Sequence, residues 1–131
     1  MIEIAYSEKE IYVDGNLAGL QKIVSALNSL KKFIEIDTDI PVKVCPLLGV
    51  EFIKRLVIEK SNEQLIISRQ EQILKIEGKQ DLLNILAENI AFLWNERQLN
   101  SGNHIHEEYY EGHFYYHPKS LPTVFTLTKY G

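Results

Sequence analysis

The sequence predicts an α+β fold built from a duplicated β-β-α-β-β unit, and two observations support this fold class. Residues 2–30 return in outline as residues 65–93, so that the copies lie 63 positions apart. Within each copy, apolar residues first alternate with polar ones, as in strands, and then recur every three or four positions, as in a helix. Matching positions include Ile4 and Ile67, Glu8 and Glu71, Val13 and Ile76, and Gly15 and Gly78.

The first copy begins with two short strands in a hairpin. Apolar residues alternate from Ile2 to Tyr6, and the alternation resumes at Ile11 and ends at Gly15. The period then becomes helical, and the Asn16 side chain can cap the first turn of the helix. The apolar stripe of this helix consists of Leu17, Leu20, Ile23, Val24, Leu27 and Leu30, and it could extend to Phe33.

The rest of the chain follows the same order with local differences. Residues 41–49 contain two prolines and a glycine, which predicts an irregular stretch, and residues 52–59 predict a strand. The second copy predicts strands at 65–68 and 73–77 and a helix at about 80–97. After a turn-rich break at 100–103, strands are predicted at 104–110, about 114–116, and 123–129.

These elements suggest how the chain is organised. Each helix has a single apolar stripe, so we expect both helices to pack on one face of a mainly antiparallel sheet. No linker rich in Pro, Gly or Ser separates the copies, so we expect a single domain with repeats at about 1–63 and 64–131. Edge strands of such a sheet could also pair two chains into a homodimer.

Composition limits the classes of function. The net charge is -4 with no basic block, so we do not expect nucleic-acid binding. No apolar run is long enough for a membrane span, and residues 1–4 lack the features of a signal peptide, so we expect a soluble, cytoplasmic protein. Cys45 is the only cysteine, which excludes an intrachain disulfide, and its apolar neighbours indicate a small buried residue.

All four histidines lie in one segment, residues 104–117. If Glu111 and Gly112 form a two-residue hairpin turn, alternate residues of the two flanking strands share one face. The face opposite, with Ile105, Glu107, Tyr109, Phe114 and Tyr116, would then meet the helices because it is more apolar. The face directed to solvent or to a partner would consist of His104, His106, Glu108, Tyr110, His113, Tyr115 and His117.

Three interpretations of that solvent-directed face remain open. His104, His106 and His117 with Glu108 have the ligand types of a site for zinc or another divalent transition metal. Hydrolysis at such a site would further need Glu107 or Glu108 as the base. The same side chains could instead bind a protein, since they combine rigid rings with hydrogen-bonding groups. The third interpretation is an ordinary solvated sheet face.

Two parts of the sequence also resemble a known family. The first part is residues 13–16 (VDGN) leading into Gly19 and Leu20 of a helix. The second is residues 103–106 (NHIH), followed by an acidic, aromatic segment and by residues 120–122 (SLP). These motifs resemble a family of small predicted immunity proteins from bacterial polymorphic toxin systems, and the resemblance covers mainly the second half. Where the first copy would place its own histidine strand, the chain has residues 40–44 (IPVKV).

The resemblance implies a cytosolic protein that binds a cognate protein toxin and blocks it without catalysis and without a cofactor. Our leading hypothesis is therefore a noncatalytic, immunity-like binding protein. Its alternative is a metal-binding protein or metal-dependent hydrolase that uses His104, His106, His117 and Glu108. The partner-binding candidates are His104, His106, Glu108, Tyr110, Tyr115 and His117.

Overall fold

A computed structural model describes the chain at residues 1–41, 50–95 and 103–128. These residues form an α+β fold, as the sequence predicts, with two helices that pack against mostly antiparallel sheets. In chain order the elements are β1 (Ile2–Ser7), β2 (Glu10–Gly15), α1 (Leu17–Asn28), β3 (Phe33–Asp37), β4 (Val50–Ile53), β5 (Arg55–Lys60), β6 (Ile66–Gln70), β7 (Ile73–Gly78), α2 (Gln80–Asn95), β8 (His104–Glu107) and β9 (Thr123–Leu127).

The repeat in the sequence is also a repeat in the backbone. β1 pairs with β2 and β6 pairs with β7, each through a two-residue hairpin turn. The first turn residue is Glu8 in one copy and Glu71 in the other, and both have positive φ, at 51° and 55°. Positive φ at this position gives the turn a twist that matches the twist of the strands. The predicted cap of α1 is confirmed, because the Asn16 Oδ1 accepts the backbone N–H of Gly19 at 2.9 Å.

The strands are divided between two sheets, and each sheet contains strands of both copies. Sheet A has the order β4-β1-β2-β9-β8, and sheet B has the order β3-β5-β7-β6. The strands that join the copies run parallel: β2 beside β9 in sheet A, and β5 beside β7 in sheet B. Each hairpin is therefore extended by strands that the other copy provides.

The strand predicted at residues 52–59 is two strands in different sheets. β4 ends at Ile53 in sheet A, and β5 begins at Arg55 in sheet B. The change occurs at Lys54, because the backbone N–H groups of Lys54 and Arg55 both donate to the carbonyl of Gln72, at 2.8 and 3.3 Å. This hydrogen bonding holds the chain against the turn of the other hairpin, and the strand passes from one sheet to the other.

The apolar stripe predicted for the first helix is too long at its C-terminal end. α1 ends at Asn28, Ser29 has extended backbone, and the Leu30 side chain is 87% exposed. The prediction failed because Phe33 continues the helical spacing by coincidence. Residues 33–37 alternate apolar and polar side chains, and they form β3 by pairing with β5.

One core joins both sheets and both helices. α1 and α2 pack against each other, and the Gln80 Nε2 donates to the Leu27 carbonyl near the end of α1 at 3.0 Å. At the periphery, Arg69 of sheet B lies 4.0 Å from the Tyr6 ring centroid and 2.6 Å from the Glu51 carboxylate of sheet A. Buried side chains from both copies form the core between these contacts.

Neither helix in the part of the chain that the structure describes is long and apolar enough to cross a membrane. Several predictions lie outside the described residues: the environment of Cys45, the irregular stretch at 42–49, the last turn of the second helix beyond Asn95, and the break at 100–102.

The exchange of strands predicts that the two copies stay together without a covalent link. We expect a protease recognition sequence inserted between Asn62 and Glu63, where the chain is exposed, to be cleaved without dissociation of the fragments. Size-exclusion chromatography of the cleaved protein should give one peak at the size of the intact chain, and two peaks in concentrated urea. Two peaks under native conditions would contradict the exchanged sheets.

Candidate functional site

β8 carries two of the four histidines, and its partner is not the strand that the sequence predicts. β8 pairs with β9, so that His104 lies opposite Thr126 and His106 lies opposite Val124. The predicted hairpin, in which His106 would face His117, is therefore wrong. Residues 114–116 form no strand; Tyr116 makes only an isolated bridge to Leu65.

The predicted turn at Glu111 and Gly112 is nevertheless present. The His113 N–H donates to the Tyr110 carbonyl at 2.9 Å, and Gly112 has φ of 87°. Glu111 is not among the residues with positive φ. A turn with positive φ only at its second central residue is of type II, and its twist does not match that of a two-residue hairpin. The chain therefore reverses at this turn, but the flanking residues diverge.

The returning chain crosses from sheet A to the edge of sheet B. Leu65 donates its N–H to the Tyr115 carbonyl at 2.8 Å and accepts the His117 N–H at 2.9 Å. Two residues further along, the Ile67 N–H donates to the Ser120 hydroxyl oxygen at 2.9 Å. These bonds fix residues 108–122, which we call the connecting segment, beside β6 before the chain returns to sheet A as β9.

His113 is a structural residue of the connecting segment. Its Nδ1 accepts the backbone N–H groups of Tyr115 and Tyr116, each at 3.3 Å. Its ring lies edge-on to the rings of Tyr110 and Tyr115, with centroids 4.5 and 4.1 Å away. Burial lowers the pKa of His113, which favours the neutral ring that can accept these bonds. The sequence predicts His113 on the solvent-directed face, and the structure shows it half-buried.

Glu107 is a buried carboxylate where β8 meets the connecting segment. Its side chain is 7% exposed, and the Asn89 Nδ2 of α2 donates to its Oε1 at 2.8 Å. Burial raises the pKa of Glu107, and the hydrogen bond from Asn89 opposes that rise. The prediction that Glu107 and Tyr116 face the helices agrees with their burial, whereas Phe114, predicted to face the same way, is 74% exposed.

Tyr116 is fully buried, and its hydroxyl interacts with the neighbouring Glu107 carboxylate. Burial raises the pKa of Tyr116, and the nearby Glu107 charge raises it further. Glu107 at the end of β8 and Tyr116 of the connecting segment therefore form a buried polar pair.

The metal alternative finds no ligand set in this arrangement. The rings of His104 and His106 lie edge-to-face with centroids 5.2 Å apart, on β8. His117 lies beside β6, and its Nδ1 accepts the Lys119 N–H at 3.0 Å. Among residues 1–41, 50–95 and 103–128, no three His, Cys, Asp or Glu side chains are grouped as ligands for a metal ion. The four residues of that hypothesis are not brought together.

The partner-binding candidates differ in accessibility. His104, His106, Glu108 and Tyr110 are exposed, and Tyr115 and His117 are half-buried. The most accessible aromatic side chains of the connecting segment are Tyr110, at 65%, and Phe114, at 74%. The sequence analysis missed Phe114, because its assignment depended on a hairpin that does not form.

The strand register also places His104 and His106 in rows of side chains that continue across β9 to residues of the first copy. Across sheet A, one row of outward-facing side chains consists of Phe52, Ala5, Tyr12, Val124 and His106. The adjacent row consists of Glu3, Asp14, Thr126 and His104. The sequence gives no local sign of these rows, because β2 and β9 are far apart in the chain.

Comparisons with known proteins add no family to this description. The chain matches no protein-family model, and a search of curated proteins found no significant match.

We expect the hydrogen bond to the Ser120 hydroxyl to contribute measurably to the stability of the fold. Ser120→Ala would leave the Ile67 N–H, a buried donor, without its acceptor, so we expect a loss of about 1 to 3 kcal/mol in the free energy of unfolding. Urea unfolding followed by circular dichroism measures this change. Ser25→Ala, at an exposed position of α1, is the control and should cost little. Equal effects of the two substitutions would contradict the role of Ser120.

We expect the raised pKa of Glu107 to make the stability of the protein depend on pH. Its pKa in the folded protein is raised above the ordinary value of 4.5, so the folded state holds this proton more tightly than the unfolded chain does. The free energy of unfolding should therefore decrease as pH rises from about 4.5 through the folded-state pKa. Glu107→Gln removes this contribution, while the new side-chain oxygen can still accept from Asn89.

We expect the difference in stability, variant minus parent, to increase with pH over that range and then to become constant. Urea unfolding of both proteins from about pH 4 to about pH 8 tests it. The other acidic groups are common to both proteins and cancel in the difference. A difference that does not change with pH would show that the charge of Glu107 has no cost in the folded state.

Proposed function

We propose that this protein is a noncatalytic binding protein of the immunity type, which neutralises a cognate bacterial toxin by direct contact. The proposal is supported by the resemblance of the His-x-His strand and the residues around it to predicted immunity proteins. It is supported independently by the character of the connecting segment and of β8. Together these two parts of the chain carry every candidate that the sequence suggests for partner binding.

The observation that carries the proposal is the exposure of Tyr110 and Phe114 on a segment that is otherwise fixed. Their side chains are 65% and 74% exposed, although the backbone around them is held by the Gly112 turn and by His113. Exposed aromatic side chains in a fixed conformation lose little conformational entropy on binding. Tyrosine is also one of the residue types that contribute most to binding free energy at protein interfaces.

The connecting segment is fixed at both ends, which favours binding through a preformed surface over binding through a flexible one. One end continues from β8 at Glu107, which Asn89 of α2 holds, and the other end is bonded to β6 through Ser120. A surface that is already ordered before contact needs little rearrangement. Inhibition of a toxin by a bound protein depends on slow dissociation, and a preorganised surface favours it.

No specific contact favours the alternative of a metal-dependent hydrolase. Glu107, one of its two possible bases, is buried against Asn89. Glu108, the other, is exposed, and the described residues contain no group of metal ligands beside it. The binding hypothesis needs no metal. Binding of a partner should therefore be unaffected by a strong chelator.

The test uses the purified protein as bait in extract from cells that express the neighbouring genes. We expect one stoichiometric partner, whose toxicity in a growth assay the parent protein suppresses. The double substitution Tyr110→Ala/Phe114→Ala should weaken binding by about 100-fold, since each aromatic residue of this kind contributes about 1.4 kcal/mol or more. His104→Ala/His106→Ala should also weaken it.

The control is Phe92→Ala, which removes an aromatic side chain that is 58% exposed on α2, outside the proposed surface. This variant should bind as the parent does. Binding should also persist in the presence of a chelator. A partner that is lost equally from Phe92→Ala, or only when metal is removed, would contradict the proposal, and so would the absence of any protein whose toxicity is suppressed.

A further inference from the structure

The outward face of sheet A carries carboxylates that face one another. Glu3 of β1 and Asp14 of β2 are directly opposite in the register, and their side chains are therefore neighbours on one face. Like charges in this position destabilise a sheet. Glu10 of β2 is on the same face, and its carboxylate accepts a hydrogen bond from the Tyr12 hydroxyl at 2.8 Å.

The pKa values of Glu3 and Asp14 are both raised, and burial is the largest cause for each. Burial raises the pKa of Glu3, and the charges of Asp14 and Asp39 raise it further, against an opposing effect of the Met1 amino group. Burial also raises the pKa of Asp14, although a hydrogen bond from Thr126 lowers it. The two carboxylates are thus partly desolvated and close together, and both lie on a surface that includes exposed side chains.

The outward face of sheet B has a different pattern of charge. Arg55 lies 3.7 Å from Glu35 and 3.5 Å from Asp37. Lys75 in the same way lies 2.8 Å from Glu59 and 3.5 Å from Glu77. The carboxylates on the outward positions of sheet B are therefore each within 4.0 Å of a cation of the same sheet.

The strands of sheet A, within their described bounds, have no equivalent lysine or arginine, and the cation that acts on Glu3 is the Met1 amino group. None of the outward positions of its five strands, within their described bounds, is a lysine or an arginine. Glu3, Glu10 and Asp14 do not take part in any salt bridge with a lysine or arginine of the described residues. One sheet thus neutralises its acidic residues internally, and the other presents them on a face that also carries aromatic and imidazole side chains.

We propose that the outward face of sheet A binds a basic surface of a protein partner, with an arginine side chain placed between Glu3 and Asp14. A guanidinium group fits two neighbouring carboxylates because it offers several N–H donors in one plane. Tyr12 adjoins the pair on β2, is 37% exposed, and offers a ring on which a guanidinium can stack. His104 and His106 extend the same face toward the connecting segment.

This inference rests on the proposed function, because it names the chemistry of the partner that the binding protein would recognise. It adds that the first copy contributes to the surface, whereas the sequence analysis placed all candidates in the second copy. Positive charge on the partner would remove the repulsion between Glu3 and Asp14. The attraction would also accelerate association and make it dependent on ionic strength.

The test is an NMR titration of the intact protein, labelled with ¹⁵N, with a short peptide of arginine residues blocked at both ends. Glu3→Gln/Asp14→Asn removes two charges from sheet A, and Glu35→Gln/Asp37→Asn removes two charges from sheet B. The two variants have equal net charge, so general electrostatic attraction affects them equally. The first variant should fold normally, because it removes a repulsion and keeps an acceptor for Thr126.

We expect the amide shifts of the parent to concentrate on β1, β2, β9 and β8, and the dissociation constant to rise at least about tenfold in Glu3→Gln/Asp14→Asn. It should change less than about twofold in Glu35→Gln/Asp37→Asn. Shifts spread over both sheets, or equal weakening in the two variants, would overturn the inference.

The outcomes separate this inference from the proposed function. If a toxin partner is captured and depends on Tyr110 and Phe114 but tolerates Glu3→Gln/Asp14→Asn, the proposed function stands and this inference fails. If the arginine peptide binds sheet A as expected but no toxin partner exists, the inference about the surface stands and the proposed function fails.

Discussion

The parallel pairing of strands from different copies is the constraint on which the structure depends. A two-stranded hairpin is marginally stable alone, and each copy provides one hairpin. β2 acquires β9 as its second neighbour, and β7 acquires β5, so that each sheet is completed by the other copy. The helices pack on each other and against these sheets, and the core consists of buried side chains from both copies.

The same pairing determines where the candidate site lies. β9 lies between β2 and β8, so β8 is an edge strand of sheet A, and the chain between β8 and β9 leaves that sheet and returns to it. It does so by binding the edge of β6, which buries Glu107 and Tyr116 and leaves Tyr110 and Phe114 exposed. The buried polar groups and the exposed aromatic side chains therefore lie in one short part of the chain.

Local sequence patterns predict most of the elements, although they miss β3 and predict a strand at 114–116 that does not form, and they do not predict the partners of the strands. The hairpins, both helices and the cap at Asn16 follow from apolar spacing and from capping chemistry, and the structure confirms them. The pairing of β2 with β9 leaves no local pattern, because any alternating strand can fill that place. The prediction of one face for all the histidines failed for a local reason: the turn at Gly112 is of type II, so the residues on its two sides diverge and do not pair. Glu3 and Asp14, by contrast, meet within the local β1-β2 hairpin.

The central claim is that a protein partner contacts sheet A and the connecting segment. A photo-reactive amino acid, p-benzoylphenylalanine, placed in turn at Tyr12, Tyr110 and Phe33 tests this claim in living cells. Tyr12 lies on sheet A, Tyr110 on the connecting segment, and Phe33, 49% exposed, on the outward face of sheet B. The account predicts adducts of one and the same partner from positions 12 and 110 and none from position 33. An adduct from position 33 alone, or the same adduct from all three positions, would contradict it.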